Sequence, residues 1–297
     1  MNKTKGKNKR WFGYTLYGIL LAVALLYYRF PSESFREYFE TIASRTAPDL
    51  RLSIEELSPS FPFGVILAGT ELSLKEEPDR TLIIAEPFHI RPDIKSFLAG
   101  GSGYFFKCSA YGGDLTGHVR FPRNDSGTPF TASIQLNKID ISNSTLPSQI
   151  FSRNMNGILS GTVTYKEGNV SPINGTGKAD LLISDGAINL LQPLLGLESI
   201  NFDELILKMT FKDRMLSMPS IELKGRKIDG NASGTIYLKT EIMQSRLNLK
   251  GTIEPFADLF KNTGSPNVIE MFRQRLKGGK LSFSIQGTIK DPRIRFI

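Results

Sequence analysis

Hydrophobic and polar residues alternate along most of the chain from about residue 50 to its end. The clearest stretch is 280–290, KLSFSIQGTIK, and residues 246–253 and 157–165 repeat its pattern. The apolar face of the first stretch contains four large side chains and one glycine: Leu281, Phe283, Ile285, Gly287 and Ile289. This alternation predicts strands of an antiparallel sheet with one solvated face. Further strands are predicted near 52–57, 64–75, 81–90, 103–111, 131–140, 175–184, 205–212 and 219–224.

The predicted fold class is therefore mostly β. We expect an extended, curved antiparallel sheet that forms a groove, an open barrel or a sandwich. The continuous apolar runs and long crossover helices of a parallel sheet are absent from the sequence. Short helices are predicted at 91–99, 146–155, 191–197 and 254–277, and a hairpin turn near 239–244.

A glycine followed by a polar residue, four times threonine, recurs on the apolar side of these strands. The five copies are Gly117, Gly161, Gly234, Gly251 and Gly287. A glycine inside a strand marks a bend, a bulge or the close approach of another backbone or a ligand. The pattern fits either a concave apolar groove or bulges in a sandwich. The predicted groove face comprises Gly117, Leu159, Gly161, Val163, Gly234, Ile236, Leu247, Leu249, Gly251, Leu281, Phe283, Ile285, Gly287 and Ile289.

Residues 11–28 contain no charged side chain and lie between Arg10 and Arg29. As a helix they would extend about 27 Å, close to the thickness of a thin hydrocarbon core, so the run predicts one transmembrane signal anchor. The anchor residues are Trp11, Tyr14, Leu20, Leu21, Leu25, Leu26, Tyr27 and Tyr28, with aromatic rings near both ends. Two alternatives stay open: a signal peptide cleaved after Ala22-Val23-Ala24, and a buried helix of a soluble protein.

Five basic residues precede this run without any acid: Lys3, Lys5, Lys7, Lys9 and Arg10. Such a flank predicts a cytoplasmic N-terminus, with the bulk of the chain on the other side of the membrane. The net charge of +8 comes largely from this tail, so it does not indicate nucleic acid as a partner. The predicted divisions are a basic tail at 1–10, the anchor at 11–28, an amphipathic linker helix at 29–49 and a β-rich domain at 50–297.

The linker helix has a capping-box spacing at Ser34 and Glu37 and ends before Pro48. Its apolar stripe contains Phe35, Tyr38, Phe39 and Ile42. We expect this helix either to close one end of the β domain or to lie on the membrane surface.

Candidate catalytic chemistry is sparse. His89 and His118 have no acidic or cysteine neighbour at ligand spacing, and the single cysteine, Cys108, can form no intrachain disulfide. Asp203 and Glu204 begin a predicted strand, so their side chains point to opposite faces. We find no nucleophile elbow, phosphate-binding loop or dinucleotide fingerprint. The sequence therefore predicts a protein that is not an enzyme, with no catalytic residue, metal site or cofactor.

Several segments together resemble the type II secretion system protein N (GspN) family in its long, delta-proteobacterial-like form. They are 50–74, 90–119, 136–165, 221–255 and 281–296, and the first contains a Phe-Pro-Phe-Gly turn between two strands. The strands with a Gly-x-Leu-x-Gly-x-Ile type of pattern are also similar to those of AsmA-like and TamB-like proteins. These are anchored in the inner membrane and present a curved β-groove, thought to handle lipid, to the periplasm.

The first resemblance implies a non-enzymatic, single-pass component of the bacterial inner membrane that contacts type II secretion subunits through its periplasmic domain. The second implies a β-groove that binds or transfers phospholipid or another envelope lipid. The two differ in whether the apolar face is covered by protein or stays open. An open face would be distinctive, since an exposed apolar patch above a few hundred Å² is unusual for a monomer.

Overall fold

The computed structural model describes residues 5–46, 50–75, 81–85, 87–121, 130–143, 155–167, 174–194, 197–239, 241–256, 276 and 278–297. The helices are α1 (Lys5–Tyr28), α2 (Ser32–Thr46) and α3 (Ile94–Leu98). The strands are β1 (Leu50–Ser60), β2 (Gly64–Leu74), β3 (Thr81–Ala85), β4 (Phe88–Pro92), β5 (Ser102–Ala110), β6 (Gly113–Phe121), β7 (Thr131–Asp140), β8 (Met155–Lys166), β9 (Thr176–Leu194), β10 (Leu197–Lys212), β11 (Met215–Gly225), β12 (Ile228–Tyr237), β13 (Arg246–Pro255), β14 (Leu281–Thr288) and β15 (Pro292–Phe296).

All fifteen strands belong to one open antiparallel sheet. Its order follows the chain from β1 and β2 through β4 to β15, and β3 pairs with β2 beside this path. Apart from β3, each strand therefore forms hydrogen bonds with the strands before and after it on this path, as in a meander. The prediction of a mostly β, extended antiparallel fold is confirmed.

The local predictions have mixed outcomes. The helix at 191–197 is wrong, because residues up to Leu194 continue β9 and β10 begins at Leu197. The strand at 81–90 is divided into β3 and β4, and the helix at 91–99 is shortened to α3. The predicted turn near 239–244 is confirmed. Residues 1–4, which include Lys3, residues 47–49, and most of the predicted helices at 146–155 and 254–277 lie outside the described residues.

One face of the sheet is apolar in every strand along the main path. Directly opposite residues of antiparallel strands point to the same face, so the register can be followed from strand to strand. One such row contains an apolar or glycine residue at each of its fourteen positions: Leu57, Leu67, Phe88, Cys108, Leu115, Leu136, Gly161, Leu181, Leu207, Ile221, Ala232, Gly251, Phe283 and Phe296.

The buried core is divided into three local clusters. Ile54, Leu57 and Leu67 form one near the first strands. A second contains Ile139, Ile141, Ile183, Phe202 and Leu205, and a third contains Ile228 and Ile253. Compact domains usually have one contiguous core. Among the described residues, no cluster of buried side chains joins the first strands to the last.

Helix α2 packs against the outer edge of the sheet. Phe30, just before the helix, and Phe39 within it contact the first core cluster. The Glu40 carboxylate accepts a hydrogen bond from the Ile54 N–H at 3.1 Å. This confirms that α2 closes one end of the β domain. The helix begins at Ser32, so Ser34 lies inside its first turn and is not the N-cap that the sequence predicts.

Helix α1 exposes apolar side chains around its circumference. They include Trp11, Phe12, Tyr14, Leu16, Tyr17, Leu20, Leu21, Leu25 and Tyr28, each at least 48% exposed. No helix within the described part of the chain combines the length and apolarity required to cross a membrane. The transmembrane segment at 11–28 stays a prediction.

Candidate functional site

The predicted groove residues lie together on the apolar face. Gly117 pairs with Ile134 and then Val163, while Gly234, Leu249 and Ile285 form another row. Leu159 is partly buried against the second core cluster, and Leu281 is 1% exposed. The placement of Ile289 is wrong, because β14 ends at Thr288 and the Ile289 N–H donates to the Ser245 carbonyl at 3.1 Å in the following turn.

Most of this face is only half-buried. Of the fourteen residues in the row, the first two and Cys108 are buried, and the other eleven are of intermediate exposure. In a two-layer sandwich the inner faces interdigitate and become fully buried. Within the described residues, the long row is shielded mainly by its own neighbours and not by a second sheet.

The recurring glycines lie in close contact with other residues of the sheet. A Cβ at Gly117 would meet the ring of Phe106, and one at Gly251 would meet the ring of Phe283, each on the adjacent strand. Gly186 has the same relation to Phe202. A cross-strand aromatic ring that covers a strand glycine is a recognised device of curved sheets.

Two other copies bring strands together by their backbones. Gly161 has φ +152° and Gly234 has φ +151°, and a Cβ at either would collide with a carbonyl of the next strand, from Asp180 and Asn248 respectively. Gly287 has φ +106° beside the final turn. These φ values favour glycine. The contact at each glycine is therefore another part of the chain, one of the options that the sequence left open.

A chain of aromatic rings lines one margin of the apolar face. We call this margin the Phe61 end of the sheet, because it is where the β1–β2 turn, the start of β5 and the end of β6 lie. Successive ring centroids are 5.9, 6.5, 5.7 and 5.6 Å apart along Phe97, Tyr104, Phe121, Phe130 and Tyr165. Such spacings are those of interacting aromatic pairs. Burial, with a smaller contribution from Glu167, raises the pKa of Tyr165.

A buried aspartate holds α3 at the same end. Asp93 caps the helix by accepting hydrogen bonds from the Lys95 N–H at 3.1 Å and the Ser96 hydroxyl at 2.6 Å. His118 Nε2 lies 3.2 Å from Asp93 Oδ2 but is not aligned for a hydrogen bond, and Arg120 is 3.8 Å away. The hydrogen bond from Ser96 is the main cause of the lowered pKa of Asp93.

Sequence reasoning missed this cluster because His118 is on β6, far along the chain from the aspartate. A detectable local signal was the Asp-x-Lys-Ser spacing at the start of a short helix, which is typical of a side-chain N-cap. The Ser96 hydroxyl donates its hydrogen bond to Asp93, and the His118 ring stacks on Phe105 with the ring centroids 4.3 Å apart. Ser96 and His118 therefore do not form the serine–histidine pair that nucleophilic catalysis needs.

Other titratable candidates have structural partners. Burial raises the pKa of Cys108 to about 11, which keeps the thiol protonated and unreactive near neutral pH. Asp203 and Glu204 lie inside β10 and bind separate cations, Arg226 at 3.1 Å and Lys224 at 2.7 Å. In the part of the chain that the structure describes, no three His, Cys, Asp or Glu side chains converge as metal ligands.

The polar face carries a shallow cleft of about 630 Å³ between the β1–β2 turn and β7. Its walls include both histidines of the chain, Phe61, Arg91 and Phe105.

Comparison with family models, curated proteins and solved structures finds no match for this chain. The resemblance to the secretion and AsmA-like families therefore stays a prediction.

Proposed function

We propose that this chain is a lipid-binding β-groove protein of the cell envelope, with no catalytic activity of its own. The observation that carries the proposal is the unbroken apolar row across fourteen hydrogen-bonded strands. At about 4.8 Å per strand, thirteen intervals extend this row over roughly 62 Å. The hydrocarbon core of a bilayer is about 30 Å thick, so this length is about four times the thickness of one of its two leaflets.

The accessible surface of the chain is larger than that of a compact monomer. It measures 19,873 Å², whereas a compact monomer of 33.1 kDa has about 12,600 Å². Burial of apolar side chains stabilises the chain by about 25 cal/mol for each Å² removed from water. Acyl chains lying along the half-buried row would supply that burial where the described residues supply no second layer.

We also propose that α1 anchors the protein in the bacterial inner membrane, with the N-terminus cytoplasmic and the β domain periplasmic. The support is the uncharged run at 11–28, its exposed apolar surface and the basic residues before it. Leu20→Arg together with Leu21→Arg should move the protein from the carbonate-resistant membrane fraction to the soluble fraction, since each central arginine costs about 3 kcal/mol. An unchanged distribution would contradict the anchor, and Tyr28→Arg at the helix end is the matched control.

A component of the type II secretion apparatus is the second candidate. Its support is the position of β15, which pairs with β14 at the end of the sheet path, because a terminal strand is where a strand from a partner can add to a sheet. In this function the apolar face would be covered by protein and not by lipid.

Site-specific photo-crosslinking in cells separates the two candidates. A photoreactive phenylalanine derivative replaces Leu249 on the apolar face or its neighbour Lys250 on the polar face, both on β13. The lipid groove predicts phospholipid adducts at position 249 and almost none at 250. A protein adduct at 249 would favour the secretion component, and equal lipid labelling at both positions would exclude the groove.

A further inference from the structure

The Phe61 end of the sheet carries an exposed apolar patch that neither the core nor the apolar row explains. Phe61 and Phe63 in the β1–β2 turn are 78% and 61% exposed. Ile94, Phe97 and Leu98 of α3 are 55%, 46% and 84% exposed. We call these five residues the end patch. Large apolar side chains exposed together in this way mark a binding surface.

The two segments of the end patch are neighbours in space. Val65, just after the turn, pairs with Ile90 of β4, and a Cβ at Gly64 would contact the Ile90 carbonyl and the Arg91 side chain. Two residues beyond Arg91, Asp93 caps α3. The turn and the start of α3 therefore lie close together, at the same end of β2 and β4.

Basic side chains surround this surface. Arg91 and Lys95 are exposed, and the Arg120 side chain is 58% exposed. The acidic residue within this segment, Asp93, is buried and its carboxylate is occupied by the α3 cap, with His118 and Arg120 beside it. An apolar patch with a basic margin is complementary to an anionic lipid surface, where rings enter the headgroup region and cations meet phosphates.

The direction of α2 places the N-terminal helix at the same end. Glu40 contacts Ile54 while Arg36, four residues earlier, contacts the Glu55 carbonyl at 3.5 Å. The earlier residue of α2 thus contacts the later residue of β1, so the helix and the strand run antiparallel. The start of α2, and with it the end of α1 at Tyr28, is directed toward the Phe61 end.

We propose that the end patch docks on the headgroup region of an anionic bilayer and holds the Phe61 end of the sheet against the membrane. Ile94, Leu98 and the two turn phenylalanines insert at the headgroup boundary, while Arg91, Lys95 and Arg120 contact lipid phosphates. The aromatic margin behind Phe97 then lies directly above the lipid surface. This docking goes beyond lipid binding by the apolar row and does not depend on it.

The test uses the full chain bound to nanodiscs made of phosphatidylcholine alone or of phosphatidylcholine with phosphatidylglycerol. In a Cys108→Ala background, an environment-sensitive fluorophore is attached at Leu98→Cys or, as a control, at Ser109→Cys. Ser109 is exposed and lies at the far end of β5, about 23 Å along the strand from its start. Spin-labelled lipids in the disc quench a fluorophore that lies at the headgroup level.

We expect strong quenching at position 98 on the anionic discs and little at position 109. Arg91→Glu with Lys95→Glu should lower the docked-to-undocked ratio on anionic discs by about tenfold or more, because basic residues near an anionic surface each add to the attraction. Both side chains are exposed, and circular dichroism verifies the fold of the variant. Phe61→Ser with Phe63→Ser should reduce quenching at 98 on both kinds of disc.

Equal quenching at 98 and 109 would overturn the proposal, and so would quenching at 98 that is independent of both phosphatidylglycerol and the charge reversal. A protein partner at this surface would leave position 98 unquenched. The crosslinking at Leu249 reports lipid on the apolar row whether or not the patch docks, so failure of one proposal is distinguishable from failure of the other.

Discussion

Two phenylalanine–glycine pairs show what the recurring glycines do for the sheet. The rings of Phe106 and Phe283 occupy the space that a side chain at Gly117 or Gly251 would need. A glycine therefore lets a large ring lie flat over the neighbouring strand, where its apolar area is removed from water. Replacement of such a glycine tests packing within the sheet and not the occupancy of a groove.

Gly251→Ala should lower the free energy of unfolding by about 1–3 kcal/mol, as expected for overpacking. The new methyl group would meet the Phe283 ring and the Asn231 carbonyl. The matched control is Gly230→Ala on the adjacent strand, where a Cβ would meet Leu223 and Thr252 only at 3.7 and 3.8 Å. Urea unfolding followed by circular dichroism measures both, and an equal loss in the two variants would contradict this role of Phe283.

The buried thiol of Cys108 makes the stability of the fold depend on pH. Its pKa is raised from 9.0 in the unfolded chain to about 11 in the fold, so the unfolded state loses its proton first as the pH rises. Stability from this group is therefore complete below pH 9 and falls between about pH 9 and 11, by up to about 3 kcal/mol.

Urea midpoints measured from pH 8 to pH 11 test this prediction. The decline should be smaller in Cys108→Ala, which has no thiol to ionise. A decline of the same size in both proteins would assign the pH dependence to other groups.

At the scale of elements, α2 protects an edge that a sheet would otherwise leave open. Glu40 accepts from the Ile54 N–H, and Arg36 donates to the Glu55 carbonyl, so side chains of a helix replace a neighbouring strand. Covered edges reduce the risk of edge-to-edge association.

Glu40→Ala should expose the β1 edge, because the buried Ile54 then loses the acceptor for its N–H. The cost of an unsatisfied buried donor is about 1–3 kcal/mol. Hydrogen exchange read by mass spectrometry should show faster exchange of the β1 peptide. Glu40→Gln keeps an acceptor oxygen and should exchange more slowly than Glu40→Ala, and identical exchange in the two variants would show that this hydrogen bond is not important.

At the scale of the whole molecule, the strands follow one another along a single path through the sheet. Each strand on the main path pairs with its neighbours in that path, so the apolar row connects β1 to β15 without a branch. If lipid enters from the membrane, it must pass the middle strands before it reaches β13.

Leu207→Asp on β10 should block that passage, because a carboxylate among half-buried apolar side chains is costly to desolvate. Lipid crosslinks at Leu249 should fall strongly, while those at Leu115, on the β1 side of Leu207, should persist. Lys208→Asp, on the adjacent polar face, is the control and should change neither. Loss of crosslinks at both positions would indicate unfolding or a different path, and circular dichroism distinguishes these outcomes.

The sequence alone predicted the class of the fold and the face on which most residues lie. Period-two alternation at 280–290 and 246–253 is a local property of the chain, and it determines which side chains share a face whatever the strands pair with. The predicted helix at 191–197 is wrong, because residues up to Leu194 continue β9.

Only the tertiary structure decided how the faces join into one row and what fills the glycine positions. Register across β7, β8 and β9 depends on irregularities in which Lys138 and Asp185 adopt positive φ, and these interrupt the period-two alternation on which the sequence prediction depends. The partners of Gly117 and Asp93 are also set by strand pairing. The sequence therefore determined an apolar face, and the pairing of distant segments determined its continuity, its aromatic margin and its exposed end.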